Sequence, residues 1–238
     1  MNTLYYFTIL IVFNMFFYCT AYSQKLDIGL KGGMSFSTLE GSFTFQREDV
    51  AISLDPKTVS RYNLGGVLRY NVTSYFSVQT ELLFTPRGAQ FDEDILVRGQ
   101  PFRLSGDVNL SYIEIPLLLR ISTLRPDRGR FFYPRPGLSV NGYTGVAAGY
   151  KTRAKFRGDI SGDLFGVPFE ESFGNSLWNR FDTLDYMLIV GGGIEYGLKT
   201  RIILEIRYAF GLTDILIDQD LYDPIKNRML SVLIGVMF

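Results

Sequence analysis

Apolar and polar residues alternate through eight stretches of this chain: 26–38, 59–71, 75–87, 108–121, 131–142, 185–196, 201–212 and 227–238. The last is the clearest. Leu230, Val232, Ile234, Val236 and Phe238 share one face, and Asn227, Met229, Ser231, Leu233, Gly235 and Met237 share the other. In the first, Leu26, Ile28, Leu30, Met34 and Phe36 oppose Asp27, Gly29, Lys31, Gly33, Ser35 and Ser37. A period of two predicts strands, and no helical period of comparable length competes with it.

Each stretch is long enough for a transmembrane strand, which needs about 9–11 residues. The connections alternate as well. They are long at 39–58, 88–107, 143–184 and 213–226, and short at 72–74, 122–130 and 197–200. Short periplasmic turns, long extracellular loops and an even strand number are the rhythm of outer-membrane barrels. The expected fold is therefore all-β: an eight-stranded antiparallel transmembrane β-barrel, formed by one domain over 24–238. Pro116 predicts a bulge in the fourth strand, since proline removes a ladder donor. Pro134 and Pro136 are expected at the periplasmic rim. Aromatics are expected in two girdles, with Tyr70, Phe76, Phe132, Tyr196 and Phe238 at one end and Phe36, Tyr62, Phe84, Tyr186 and Phe210 at the other.

Residues 1–23 read as a cleaved secretory signal. Leu4 to Tyr18 is almost wholly apolar but too short to span as a helix, and Ala21-Tyr22-Ser23 supplies small residues before Gln24. The segment departs from the usual pattern in lacking Lys or Arg at its start. The single Cys, Cys19, would leave with it, so the mature chain would contain no thiol.

Lys plus Arg equals Asp plus Glu, giving a formal net charge of +0 and no electrostatic reason to expect a nucleic-acid partner. The chain has no His, which excludes a Ser-His-Asp hydrolase and removes the commonest transition-metal ligand. Neither an enzyme nor a cofactor or metal site is expected. The charges that matter fall on the inward faces: Lys31, Arg69, Glu81, Glu114, Arg120, Glu195, Glu205 and Arg207, joined by Asp27, Arg61, Arg87, Arg135, Asp185 and Arg201. An eight-stranded barrel has an interior just wide enough to be filled by side chains. These charges therefore predict a paired, plugged lumen rather than a pore.

The third long connection holds a basic alternation, Lys151, Arg153, Lys155 and Arg157, and the sole Trp, Trp178. It reads as an extracellular hairpin with one basic face. That face is either solvated and salt-bridged to Asp159, Asp163, Glu170 and Glu171, or a contact for lipid phosphates or a partner protein.

Four segments carry a resemblance: Gly29-Leu30-Lys31-Gly32-Gly33, Tyr112-Ile113-Glu114-Ile115-Pro116-Leu117-Leu118-Leu119-Arg120, Gly191-Gly192-Gly193-Ile194-Glu195-Tyr196, and 206–215 from Ile206 to Ile215. In this order they resemble the outer-membrane β-barrel family that includes PorT, a component associated with type IX secretion. The resemblance implies an eight-stranded barrel and no single activity. The expected role is structural or interactive, exercised by a monomer through its extracellular loops. The expected partners are outer-membrane lipid and the barrel-assembly machinery, which would read the terminal aromatic Phe238, with secretion-system proteins as a further partner. The alternatives are a PorT-like secretion accessory and a secreted, lipocalin-like carrier.

Overall fold

The computed structural model describes residues 26–41, 43–47, 50–97, 100–123, 137–164, 167–176, 181–197, 199–215 and 225–238. The expectations for the signal segment, Phe132, Pro134, Arg135, Pro136 and Trp178 lie outside these residues.

Eight long strands close on themselves. They are β1 (Leu26–Glu40), β4 (Val59–Asn71), β5 (Phe76–Val97), β6 (Gln100–Ser122), β7 (Gly137–Leu164), β9 (Leu184–Gly197), β10 (Arg201–Gly211) and β11 (Lys226–Met237). Each pairs antiparallel with the next, and β11 returns to β1 from Gly29↔Met237 to Glu40↔Lys226. Lateral neighbours trace the stagger of the wall. Ile28 faces Leu68, then Thr80, Leu117, Val146, Leu188, Phe210 and Arg228, and the circuit re-enters β1 at Thr38 rather than at Ile28. A sheet closed with such a shear must tilt its strands, by roughly 35–45° in barrels of this size.

Three short strands lie outside the circuit. β2 (Phe43–Arg47) and β3 (Val50–Leu54) form a hairpin that joins the far end of β5 through Val50↔Val97, while β8 (Val167–Ser176) pairs along the far end of β7. At the other end of the barrel the connection between β4 and β5 is tight. In the β4–β5 turn the Thr73 hydroxyl accepts from the amides of Tyr75 (3.2 Å) and Phe76 (2.9 Å).

The wall presents an apolar exterior. Leu30, Leu64, Leu82, Ile115, Val146, Val190, Leu204 and Ile234 are all exposed on its outer face. Exposed Tyr70, Tyr75, Tyr196 and Phe238 mark its lower edge, and Phe36, Tyr62, Phe84, Tyr150 and Tyr186 its upper edge. Phe238 also closes the seam, donating its amide to the Ile28 carbonyl (2.8 Å). Of the expected girdle residues Phe76 and Phe210 are only half-buried; the Phe210 ring packs edge-on against Tyr208 at 4.5 Å, beneath Arg228.

Two expectations are corrected. The strands do not end at the membrane: β5, β6 and β7 run on as paired arms, so much of 88–107 and 143–164 is strand rather than loop. The bulge is not at Pro116. Pro116 keeps register with Ala147, and the shift falls at Ser111/Tyr112, where Ser111 pairs Arg153 but Tyr112 pairs Lys151. The extra residue is Thr152. Because strand side chains alternate with period two, it exchanges the inward and outward sets of β7 beyond that point.

Candidate functional site

The lumen is built by inward residues of all eight wall strands. Lys31 from β1 reaches Glu81 on β5 and Glu205 on β10 (2.9 Å). Arg207 binds Glu81 through two nitrogens, both at 2.8 Å. Arg120 joins Glu205 (2.6 Å) to Glu195, and Arg69 takes Glu195 (2.7 Å) together with Gln79 (2.8 Å). Arg201 links the same cluster to Asp27 (2.6 Å), which also accepts from Asn71 (2.8 Å). Nearer the end that carries the arms, Arg87 pairs with Glu114 and with Asp185 (2.8 Å), and Asp185 accepts from Asn227 (2.7 Å). All eight lumen charges named from the sequence are thus buried and ion-paired, seven of them in one cluster and Glu114 with Arg87 and Asp185 above it. Arg61 stands apart at the rim, paired with Asp107 at 2.8 Å.

Burying ions is costly unless geometry and extra hydrogen bonds repay it. Here Glu81 is shared by two cations and Glu195 and Glu205 by three each, and tyrosine faces support the guanidinium groups. Tyr143 lies 5.5 Å from Arg120 and 5.4 Å from Arg207, and Tyr112 lies 4.8 Å from Arg87. The ring of Tyr143 needs the missing side chain of Gly191, because a Cβ there would sit 2.6 Å from it. Neither tyrosine is among the expected lumen residues. Tyr112 shares parity with Glu114 and Arg120, which is the signal that places it inward; Tyr143 lies one residue beyond the expected fifth strand, 131–142.

Above the charges the inward set turns apolar. Leu39, Ala89, Phe91, Val108, Leu110, Ala154, Phe181, Ile215 and Ile225 form one buried cluster with Tyr112, and Phe156 packs against it. Aromatic rings alternate with glycines across the arms: a Cβ on Gly158 would meet Phe173 at 2.8 Å, and one on Gly162 would meet Phe102 at 2.4 Å. Phe156 and Phe173 lie 5.7 Å apart, Phe102 and Phe169 6.3 Å. Gly88 makes the transition with φ +150, its amide donating to the Ser37 hydroxyl (3.1 Å), which donates back to the Gly88 carbonyl (3.2 Å). β1 is thereby tied to β5 above the point where β4 departs.

The basic alternation is split by the bulge. Lys151 is not part of an exposed face: it is buried, and its ammonium donates to the Phe181 carbonyl. Arg153, Lys155 and Arg157 are exposed on the outward face.

The sequence matches the outer membrane protein beta-barrel domain over residues 22–216. Among solved structures, OprG from Pseudomonas aeruginosa is 16% identical with a TM-score of 0.42, covering 89% of this chain and 95% of its own. Ail of Yersinia pestis, crystallised in complex with the heparin analogue sucrose octasulfate, is 15% identical with a TM-score of 0.38, covering 90% and 100%. Neisserial surface protein A is 11% identical with a TM-score of 0.34, covering 89% and 97%. No curated protein matches. An apolar outer wall, an ion-filled lumen and a domain match across most of the chain agree, and the protein belongs to the outer membrane protein beta-barrel domain family, whose place is the outer membrane.

Proposed function

We propose that this protein is a non-catalytic, non-conducting barrel that presents a rigid extracellular platform for interaction. Residues 1–23 serve as its export signal, and Phe238 is the aromatic offered to the assembly machinery. The observation that carries the reading is the continuation of β5, β6 and β7 beyond the apolar band as paired strands over a buried apolar cluster, with β8 added along β7. Loops on a rigid scaffold are where binding residues concentrate. The sealed lumen is supported by the ion-pair cluster and the apolar layer stacked on it. A lipocalin-like carrier fits poorly, since its interior would have to be apolar and its exterior wet.

The test is to replace 158–173 by a two-residue turn, which preserves the bulge, Lys151 and the first rungs of the arm. The shortened protein should keep its heat-shifted gel mobility, show no steady conductance in planar bilayers, and lose the phenotype that deletion of the gene produces. Full complementation would move the function to the periplasmic side. That outcome would favour the second reading, a PorT-like secretion accessory, which is supported by the ordered motifs at 29–33, 112–120, 191–196 and 206–215.

A further inference from the structure

The outward face of the arms changes sign with height, and the lower part stands where lipid headgroups end. The last apolar rung across four strands is Phe84–Ile113–Tyr150–Leu184. The next three outward rungs across β5, β6 and β7 are Pro86–Ser111–Arg153, Gly88–Asn109–Lys155 and Gln90–Asp107–Arg157. Above them come Asp92–Ser105–Asp159 and Asp94–Arg103–Ser161. A cation therefore occupies each of the three rungs nearest the membrane, and acids dominate farther out.

Arg153, Lys155 and Arg157 are exposed, and none of them makes an ion pair among the described residues. The nearest outward carboxylate, Asp107, is already held by Arg61 at 2.8 Å, and Asp92 by Arg103 at 2.8 Å. At about 3.3 Å per residue and a tilt of roughly 40°, Arg153 stands about 8 Å above Tyr150 and Arg157 about 18 Å. Headgroups occupy roughly 5–8 Å beyond each hydrocarbon boundary. Arg153 is thus at headgroup level, the long stem of Lys155 can lean down to it while keeping its charge in water, and Arg157, standing higher, attracts the same anionic layer from about one Debye length away.

We propose that Arg153, Lys155 and Arg157 form a phosphate-binding row for lipids of the outer leaflet. The ligand is an anionic lipid whose headgroup carries phosphate, gripped edge-on by the first strand rungs above the girdle. The distal acids repel the same groups, so the row also sets how deep the arm sits. The proposal deepens the interaction reading and depends on it only for the arm facing outward from the cell.

The test uses the full mature barrel, folded in detergent and offered equal amounts of phosphatidylglycerol and a phosphate-free galactosyl diacylglycerol, with retained lipids counted by native mass spectrometry. Wild type should retain the phospholipid selectively. Arg153→Gln, Lys155→Gln and Arg157→Gln should each lower that selectivity by roughly fivefold, the weight of one cation near an anionic surface, and the triple variant should abolish it. Lys199→Gln, an exposed cation in the opposite turn, should change nothing. Selectivity in the triple variant equal to wild type would overturn the proposal. So would displacement of the lipid by inorganic phosphate beyond that by chloride at equal ionic strength, which would make the row a site for free phosphate. If the triple variant loses its heat-shifted mobility, the Lys155→Gln single variant decides the matter. Labelling of Ser161→Cys by an impermeant thiol reagent on intact cells tests the orientation separately. An unlabelled arm would sink the interaction reading, whereas a labelled arm without lipid selectivity would sink only the phosphate row.

Discussion

β5, β6 and β7 pass through two environments and build two opposite cores. Within the membrane their outward residues are aliphatic, as at Leu82, Ile115 and Val146, and their inward residues include Glu81, Arg120 and Glu114. Beyond Phe84, Ile113 and Tyr150 the polarity inverts. Phe91, Val108 and Ala154 now point inward, while Asp94, Arg103 and Lys155 point outward. The backbone ladder between β5 and β6 continues through the change, and that between β6 and β7 is interrupted only by the inserted Thr152. What decides which face is apolar is therefore the medium outside the strand, lipid below and water above. The inner face then takes whatever chemistry the outer one leaves.

The first way to break this contrast is to unbalance the ionic core. Glu205→Leu strands Lys31 (2.9 Å) and Arg120 (2.6 Å) as buried charges lacking a shared acceptor. The expected loss is about 3–5 kcal/mol, read as a lower melting temperature of the heat-shifted band. Lys31→Met added to it should recover part of the loss. A variant as stable as wild type would mean that water reaches the cluster and the lumen is not sealed.

The lipid-facing wall should respond differently. Ile234→Arg places a charge on the outer face at a cost of about 2–4 kcal/mol. Ser231→Arg, on the inner face, should also be costly, because Ser231 is fully buried and pairs in register with Arg207 and Ser35. The two defects separate by rescue: Ser35→Glu should restore folding into vesicles for Ser231→Arg and leave Ile234→Arg unaffected. Equal rescue of both would show that the faces are misassigned.

The arm offers a smaller effect. Phe156→Ala removes a half-buried ring that packs on Phe173 and covers Gly106, at a local cost of about 2 kcal/mol. Limited proteolysis should then cut the β7–β8 hairpin while the barrel keeps its heat-shifted mobility. Equal loss of both would show that the two cores are one cooperative unit.

The smallest effect is electrostatic. Asp92 accepts two hydrogen bonds from Arg103 (both 2.8 Å), which hold its carboxyl below the ordinary carboxylate range. A depressed carboxylate contributes stability above its unfolded pKa and loses it as pH falls through the folded value. Protease resistance of the arm should therefore weaken slightly on acidification in wild type, and this component should vanish in Asp92→Asn. An identical acid response in both would show that the pair contributes nothing.

Most of the wall was legible because a two-residue period with one apolar face is an unambiguous instruction in lipid. The eight central charges followed from the same parity. The arms were not legible, for a physical reason. At Pro86-Arg87-Gly88 the period persists but its apolar phase changes face, and turn-forming residues sit at the switch, so the segment reads as the start of a loop. Lys151 failed for a related reason. A single inserted residue, Thr152, is invisible in a run of alternating charges, yet it sends Lys151 inward and its three successors outward.

The ion pairs of Lys31 carry a consequence for how the molecule comes into being. Lys31 sits on the first strand, and its partners Glu81 and Glu205 sit on the third and the seventh strands of the wall, reached from opposite sides of the seam between β1 and β11. Before that seam zips, a partly built sheet is an open trough whose charges face water and have no need of one another. Zipping is the event that expels the water and makes Lys31 depend on strands from both sides of the seam. Completion is thus a switch in hydration rather than the gradual addition of hairpins, and a chain lacking its last strand would remain wet and unlocked instead of nearly finished.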